Sequence, residues 1–388
     1  MRRSWPASSA FRAWWTPRPP APGCPTASGC GSTAPPEPSR CWPTRRPEAR
    51  RFDAAQRYPR LRRGPSSIRR TSRKGTPPVP ISHVLRGSVA GLAAALIAVL
   101  PAATTPAFAA PPLAHTAPAT SDQQQSLGIS APNARDIGGY PTQHGGGKIR
   151  FGLVYRSDAL NRLTPADQQK LASLQIGKAI DFRSPNEMKA APDQLPSSIP
   201  YSAQSIWDPN NDFYVMVSST IAGGPQVQQD KLGDGKAAQI MRDYYRWLVT
   251  DGAARAQFSA ALKEIASSPN AVLYHCTSGK DRTGWMTAIL MSALDVPKGQ
   301  IYKDYLASND YLAASNKAQM DALVQRGLVT DPSLFAPILG VQADYLDASF
   351  DQVRQSYGSF DRFLSDGLGV DSGTVDALKA KLLDKPGR

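Results

Sequence analysis

A cysteine stands six residues ahead of an arginine in the run His275-Cys276-Thr277-Ser278-Gly279-Lys280-Asp281-Arg282-Thr283-Gly284-Trp285. Glycines lie on either side of the arginine and a hydroxyl follows it. A free thiol titrates at about 8.5, and a helix N-terminus with nearby cations lowers that value. In such a place Cys276 would be a nucleophile near neutral pH, beside whatever anion the loop holds. The planar fork of Arg282 suits two phosphate oxygens and does not lose its charge. Thr283 is placed to donate to the sulfur and ease its departure in a second step. The implied chemistry is phosphoryl transfer through a cysteinyl-phosphate that water then hydrolyses. Arg282 and the loop amides supply the positive charge, so no metal and no cofactor are expected.

Such chemistry needs a scaffold, and the flanking residues predict one. The apolar stretch over 271–274 reads as a short buried strand. The Ala/Leu/Met/Ile-rich segment over 283–294 reads as a buried helix that stops near Asp295-Val296-Pro297. Strand, tight loop and helix aim backbone N–H groups at one point, which makes an anion site. The phosphate-binding set is then Thr277, Ser278, Gly279, Lys280, Asp281 and Arg282, with His275 tuning Cys276 by hydrogen bonding. An inert buried cysteine beside a glycine turn is the alternative, and the whole run in its strand-to-helix setting disfavours it.

Elsewhere strands and helices alternate. Strands are expected over 148–155 and 176–182, and Thr164 with Pro165 should cap a helix through Leu174. Phe258, Leu262 and Ile265 mark one helix face. Helices are expected over 303–312, 317–326, 342–357, 360–368 and 371–383. The Gly/Asp/Asn-rich stretch over 208–236 reads as a long loop, a candidate lid over the phosphate pocket. The predicted class is α/β, a mostly parallel sheet flanked by helices with a helical C-terminal part.

The signature run resembles the loop of cysteine-dependent tyrosine phosphatases, in particular the bacterial tyrosine/dual-specificity group with His-Cys-x-x-Gly-Lys-Asp-Arg-Thr-Gly. Further segments are similar to that group: Asn133-Ala134-Arg135-Asp136-Ile137-Gly138-Gly139-Tyr140, Val154-Tyr155-Arg156-Ser157, Ile180-Asp181-Phe182-Arg183-Ser184, Asp304-Tyr305-Leu306-Ala307-Ser308-Asn309 and Tyr357-Gly358-Ser359. The resemblance covers about residues 126–385, and it implies a phosphatase domain over 128–388. It implies hydrolysis of phosphotyrosine in proteins, with phosphoserine and phosphothreonine open as further substrates. A phosphoinositide is the alternative, because Lys280 would suit a second phosphate. A non-catalytic phosphate-binding module is a reading of another class, and it has no use for a nucleophile. The leaving group needs a proton. Asp281 is the preferred acid, with a loop-stabilising pair to Arg135 or Arg183 as its other reading; Asp208, in Trp207-Asp208-Pro209, is the alternative acid. Arg135, Asp136 and Arg183 are expected around the pocket by resemblance and spacing.

Residues 1–80 carry 17 Lys+Arg against 3 Asp+Glu, and the rest of the chain carries 28 of each, so this leader holds the whole net charge of +14. It is Pro/Arg-rich and without periodicity, a composition suited to disorder or to sequence upstream of a start near Val79 or Val84. The next segment, 81–109, has a basic flank, an uncharged apolar core over 87–100 and an Ala107-Phe108-Ala109 exit. These are the parts of a signal peptide, too short in its core to span a bilayer. Secretion with cleavage near Ala109 is expected, followed by a flexible linker over 110–127. The mature chain then has a single cysteine, Cys276, and no nucleic-acid partner or transmembrane segment is expected of it.

Overall fold

The computed structural model describes residues 126–143 and 147–384. The basic leader, the signal peptide and the linker up to residue 125 lie outside the described residues. Leu127, near the start of the described residues, is already buried.

Five strands form one sheet: β1 (Arg135–Asp136), β2 (Val154–Ser157), β3 (Ile176–Asp181), β4 (Tyr201–Ala203) and β5 (Ala271–His275). Their order is β1-β2-β5-β3-β4, with β1 antiparallel and every other neighbour parallel. Central β5 is buried at all of its positions. Its side chains alternate between two apolar clusters, Val272 and Tyr274 on one face and Ala271 and Leu273 on the other. The period of two puts helices against both faces, as the α/β expectation required. Ser157 of β2 and Asp181 of β3 both pair with His275. The carboxyl ends of three parallel strands therefore meet beside Cys276, the usual place for a ligand crevice in such sheets.

The helices are α1 (Pro165–Ser173), α2 (Pro185–Ala190), α3 (Phe213–Ala222), α4 (Gly224–Leu232), α5 (Lys236–Thr250), α6 (Gly252–Ser267), α7 (Arg282–Ala293), α8 (Lys298–Gln325), α9 (Ala343–Tyr357) and α10 (Ser372–Leu382). Thr164 caps α1 in a reciprocal capping box with Asp167, as predicted. Helix α7 is buried all round, which explains why its sequence shows no polar face.

Three expectations are corrected. The stretch over 208–236 is not a long loop: it holds α3 and α4 and the start of α5. Its Asp and Gly residues are the punctuation between helices, with Asp212 accepting from Tyr214 N–H at the head of α3 and Gly224 and Gly235 at positive φ. The helices expected over 303–312 and 317–326 are one, α8, because Ser315 and Asn316 bond to Leu312 O and Leu339 O and so do not break it. The strand expected over 148–155 is confined to β2, with Gly152 turning the chain just ahead of it. Among the described residues no helix is long and apolar enough to cross a membrane.

A buried triad ties α8 to the sheet. Asp304 accepts from Arg135 Nε at 3.2 Å on one oxygen and from Arg156 Nη1 on the other, all three side chains lying out of contact with solvent. Burial opposes the charge on Asp304, but Arg156 and Arg135 outweigh it and hold its pKa below the usual carboxylate range. Asp304→Asn would leave two buried cations short of a counterion and is expected to cost about 3–5 kcal/mol of stability. Chemical denaturation checks this, and a loss under about 1 kcal/mol would contradict the triad's role.

Candidate active site

The loop between β5 and α7 is held from several sides. Gly279 sits at φ +64°, and a side chain there would meet Ser157 O at 2.4 Å, so only glycine fits this close approach. Beneath it, Gly279 O accepts from Arg156 Nη2 at 2.6 Å. Asn133 Nδ2 donates to Ser278 O at 2.9 Å, and Ala159 N–H to Thr277 O at 3.0 Å. The loop carbonyls are thus drawn back onto the scaffold. The backbone N–H groups from Thr277 to Arg282 find no acceptor among the described residues. Successive free amides of this kind form a concave anion site.

Glu187, which the sequence did not single out, is the counter-charge of Arg282. Its carboxylate accepts from Arg282 Nη1 at 2.8 Å and Nη2 at 2.7 Å, from Ser184 N–H at 2.7 Å and from the Thr277 hydroxyl. Burial works against the charge on Glu187, but Arg282 more than offsets it and keeps the pKa low. The same pairing raises Arg282 against the cost of its own burial. Arg282 Nη1 also donates to Phe182 O at 3.0 Å. Of five guanidinium N–H groups, Nε–H has no partner among the described residues and Nη2 is bonded only to Glu187. The Nε–Nη2 edge therefore remains for two phosphate oxygens.

Cys276 lies at 2 % exposure in a pocket of about 120 Å³ walled by Thr277, Ser278, Lys280, Asp281 and Arg282. Phe213, Val217, Leu312, Ile338 and Leu339 give the same pocket an apolar rim. The segment once expected to be a lid contributes Phe213 and Val217 to that rim as part of α3. Thr283 Oγ1 is buried behind the loop without a partner among the described residues.

Lys280 and Asp281 bond to each other, with Lys280 Nζ 3.0 and 2.9 Å from the two Asp281 oxygens. Tyr245 OH donates to Asp281 at 2.9 Å and itself accepts from Tyr305 OH at 2.7 Å. The expected partners of Asp281, Arg135 and Arg183, do not reach it. Arg135 is in the buried triad. Asp136 caps a turn, accepting from Gly138 N–H at 2.7 Å and Gly152 N–H at 2.6 Å. Arg183 bridges Asp181 and Asp193, each at 2.7 Å. None of these three lines the pocket. Asp208 lies in an adjoining cleft and not in the cysteine pocket.

His275 is buried between the same two carboxylates, with Nε2 3.2 Å from Asp193 and Nδ1 3.9 Å from Asp181. Its Nδ1 is also 3.4 Å from Cys276 O, the backbone-level contact expected of it. Burial opposes its charge, yet Asp181 and Asp193 together raise its pKa. His275, Asp181 and Asp193 have the composition of a metal site, and Arg183 already supplies positive charge to both carboxylates.

A model of the tyrosine phosphatase family matches residues 129–384. The chain belongs to the tyrosine phosphatase family. It is 31 % identical over 242 residues to a Cupriavidus necator protein assigned as a tyrosine-protein phosphatase, covering 62 % of this chain and 82 % of the relative. It is 28 % identical over 274 residues to the triple specificity protein phosphatase PtpB of Mycobacterium tuberculosis, covering 65 % and 96 %. A tyrosine-protein phosphatase of Nostoc commune is 28 % identical over 232 residues, covering 58 % and 73 %.

Asp158, also absent from the expected site, follows β2 and lines the cysteine pocket. Its Oδ1 accepts from Asn133 N–H at 3.0 Å. Burial pushes its pKa up to about 7, against the pull of that amide, Arg162 and His275. Unfolded, the same carboxyl titrates near about 4. The folded state therefore binds the extra proton between these values, and stability is withheld as the pH rises from about 4 to about 7. Asp158→Asn, which keeps an acceptor for Asn133, is expected to raise unfolding free energy at pH 8 by on the order of 3 kcal/mol. The gain should shrink to about 1 kcal/mol at pH 4.5. Urea midpoints at the two pH values decide it; equal gains at both would refute the assignment.

Proposed function

We propose that the protein hydrolyses phosphotyrosine in proteins through a cysteinyl-phosphate, without a metal. The observation that carries this is the row of free backbone amides from Thr277 to Arg282 around a buried cysteine. Cys276 Sγ attacks phosphorus and forms the S–P bond as the P–O bond to the tyrosine ring breaks. The phenolate oxygen takes a proton from a carboxyl group, for which Asp281 is favoured over Asp208 because it belongs to the phosphate loop and shares the pocket with Cys276. Water then attacks phosphorus and gives its proton to that carboxylate. The S–P bond breaks and phosphate leaves; Thr283, whose hydroxyl is buried without a partner among the described residues, is our candidate donor to the departing sulfur.

The apolar rim supports an aromatic leaving group, since a phenyl ring buries well against Phe213, Val217 and Leu312. Lys280, the residue that would meet a second phosphate, has its ammonium bonded to Asp281 and so part of its charge is already met. That supports phosphotyrosine over a phosphoinositide. We further read the protein as exported, on the basic flank, apolar core and Ala107-Phe108-Ala109 exit.

The test is phosphate release in EDTA from a phosphotyrosine peptide and from a phosphoinositide. Wild-type protein is expected to prefer the peptide, and Cys276→Ser to be inactive. Asp281→Asn should lower kcat by about a hundredfold or more; an unchanged kcat would move the acid role elsewhere. Persistent activity in Cys276→Ser would end the cysteine mechanism.

A further inference from the structure

Beside the cysteine pocket lies a second cleft of about 370 Å³. The two share Glu187, Phe213, Tyr214, Tyr244 and Arg282 as a common wall. Whatever occupies the second cleft is therefore a close neighbour of the group that enters the first. We propose that this cleft is a subsite for a guanidinium or ammonium side chain, so that the preferred substrate carries a basic residue next to its phosphotyrosine. The proposal rests on the phosphotyrosine reading above and deepens it.

The aromatic lining is one part of the argument. Phe213 stacks on Tyr244 with ring centroids 5.0 Å apart and 25° between planes, and Tyr244 on Trp247 at 5.7 Å and 14°. Trp207 joins them in the cleft. Flat, electron-rich faces attract cations, and a planar guanidinium most of all.

Charge complementarity is the other part. Arg282 is the sole basic residue of the lining, and Glu187 is bonded to it. Asp208, Asp212 and Asp243 remain. Asp212 caps α3 and accepts from Asn186 at 2.9 Å, and among the described residues the Asp208 carboxylate accepts only from Asn210 N–H, at 2.8 Å. Asp243 is bonded to Arg246 at 2.6 Å, outside the lining. An aromatic wall edged by carboxylates favours a cation, leaves a neutral side chain without a polar partner, and repels an acidic one.

The test compares phosphotyrosine peptides of otherwise neutral sequence carrying one arginine, moved position by position along both flanks. Each is paired with a peptide holding citrulline, its uncharged isostere, at the same place. At one position the wild-type protein is expected to show kcat/KM about tenfold higher for arginine than for citrulline, a ratio that shrinks with added salt. The ratio should fall towards one in an Asp208→Asn/Asp243→Asn double variant. Because it is taken within one protein, partial loss of folding cancels. Equal rates for arginine and citrulline at every position, or faster turnover of citrulline, would overturn the subsite while leaving the phosphatase reading intact. Failure to hydrolyse any of the peptides would overturn both.

Discussion

The buried pair between Glu187 and Arg282 is the interaction on which the site depends. One carboxylate receives the guanidinium at the end of the loop, the Thr277 hydroxyl at its beginning, and the N–H of Ser184 at the head of α2. It therefore sets the width of the loop and fixes the loop to the end of β3. An isolated charge at this depth would be far too costly, whereas a bidentate pair with its remaining oxygen lone pairs bonded is tolerable. Glu187 also leaves Nε of Arg282 without a partner among the described residues.

Local sequence made much of this visible. The run from Cys276 to Arg282 is contiguous, and its setting between an apolar strand and an apolar helix follows from β5 and α7. The Thr164 cap of α1 and the Phe258-Leu262-Ile265 face of α6 are equally local. What stayed hidden comes from distant parts of the chain. Glu187 is 95 residues from Arg282, Arg156 is 123 from Gly279, and Asp304 is 148 from Arg156. Glu187 did have a local signal in Ser184-Pro185-Asn186-Glu187, but that pattern announces only a helix start. Tyr245 and Asp158 had none.

The misplaced residues follow the same logic. Arg135, Asp136 and Arg183 belong to segments that look functional, yet their side chains are buried in ion pairs or a turn cap away from the pocket. Charged residues in a phosphatase-like motif invite placement in the pocket, whereas burial and partner choice decide which face the substrate. The Asp/Gly-rich stretch after β4 misled for a related reason. Those residue types serve equally as loop material and as caps between short helices, and only packing separates the two.

Supports for one short loop thus come from Asn133, Arg156, Glu187 and, through Arg156, Asp304. Asn133, Arg156 and Glu187 precede it along the chain, and Asp304 follows it. No single fragment contains the cradle. The nucleophile acquires its full surroundings only once Asp304, which follows the loop, has docked against Arg156. With Cys276 the single cysteine among the described residues, that arrangement couples chemical competence to completed folding.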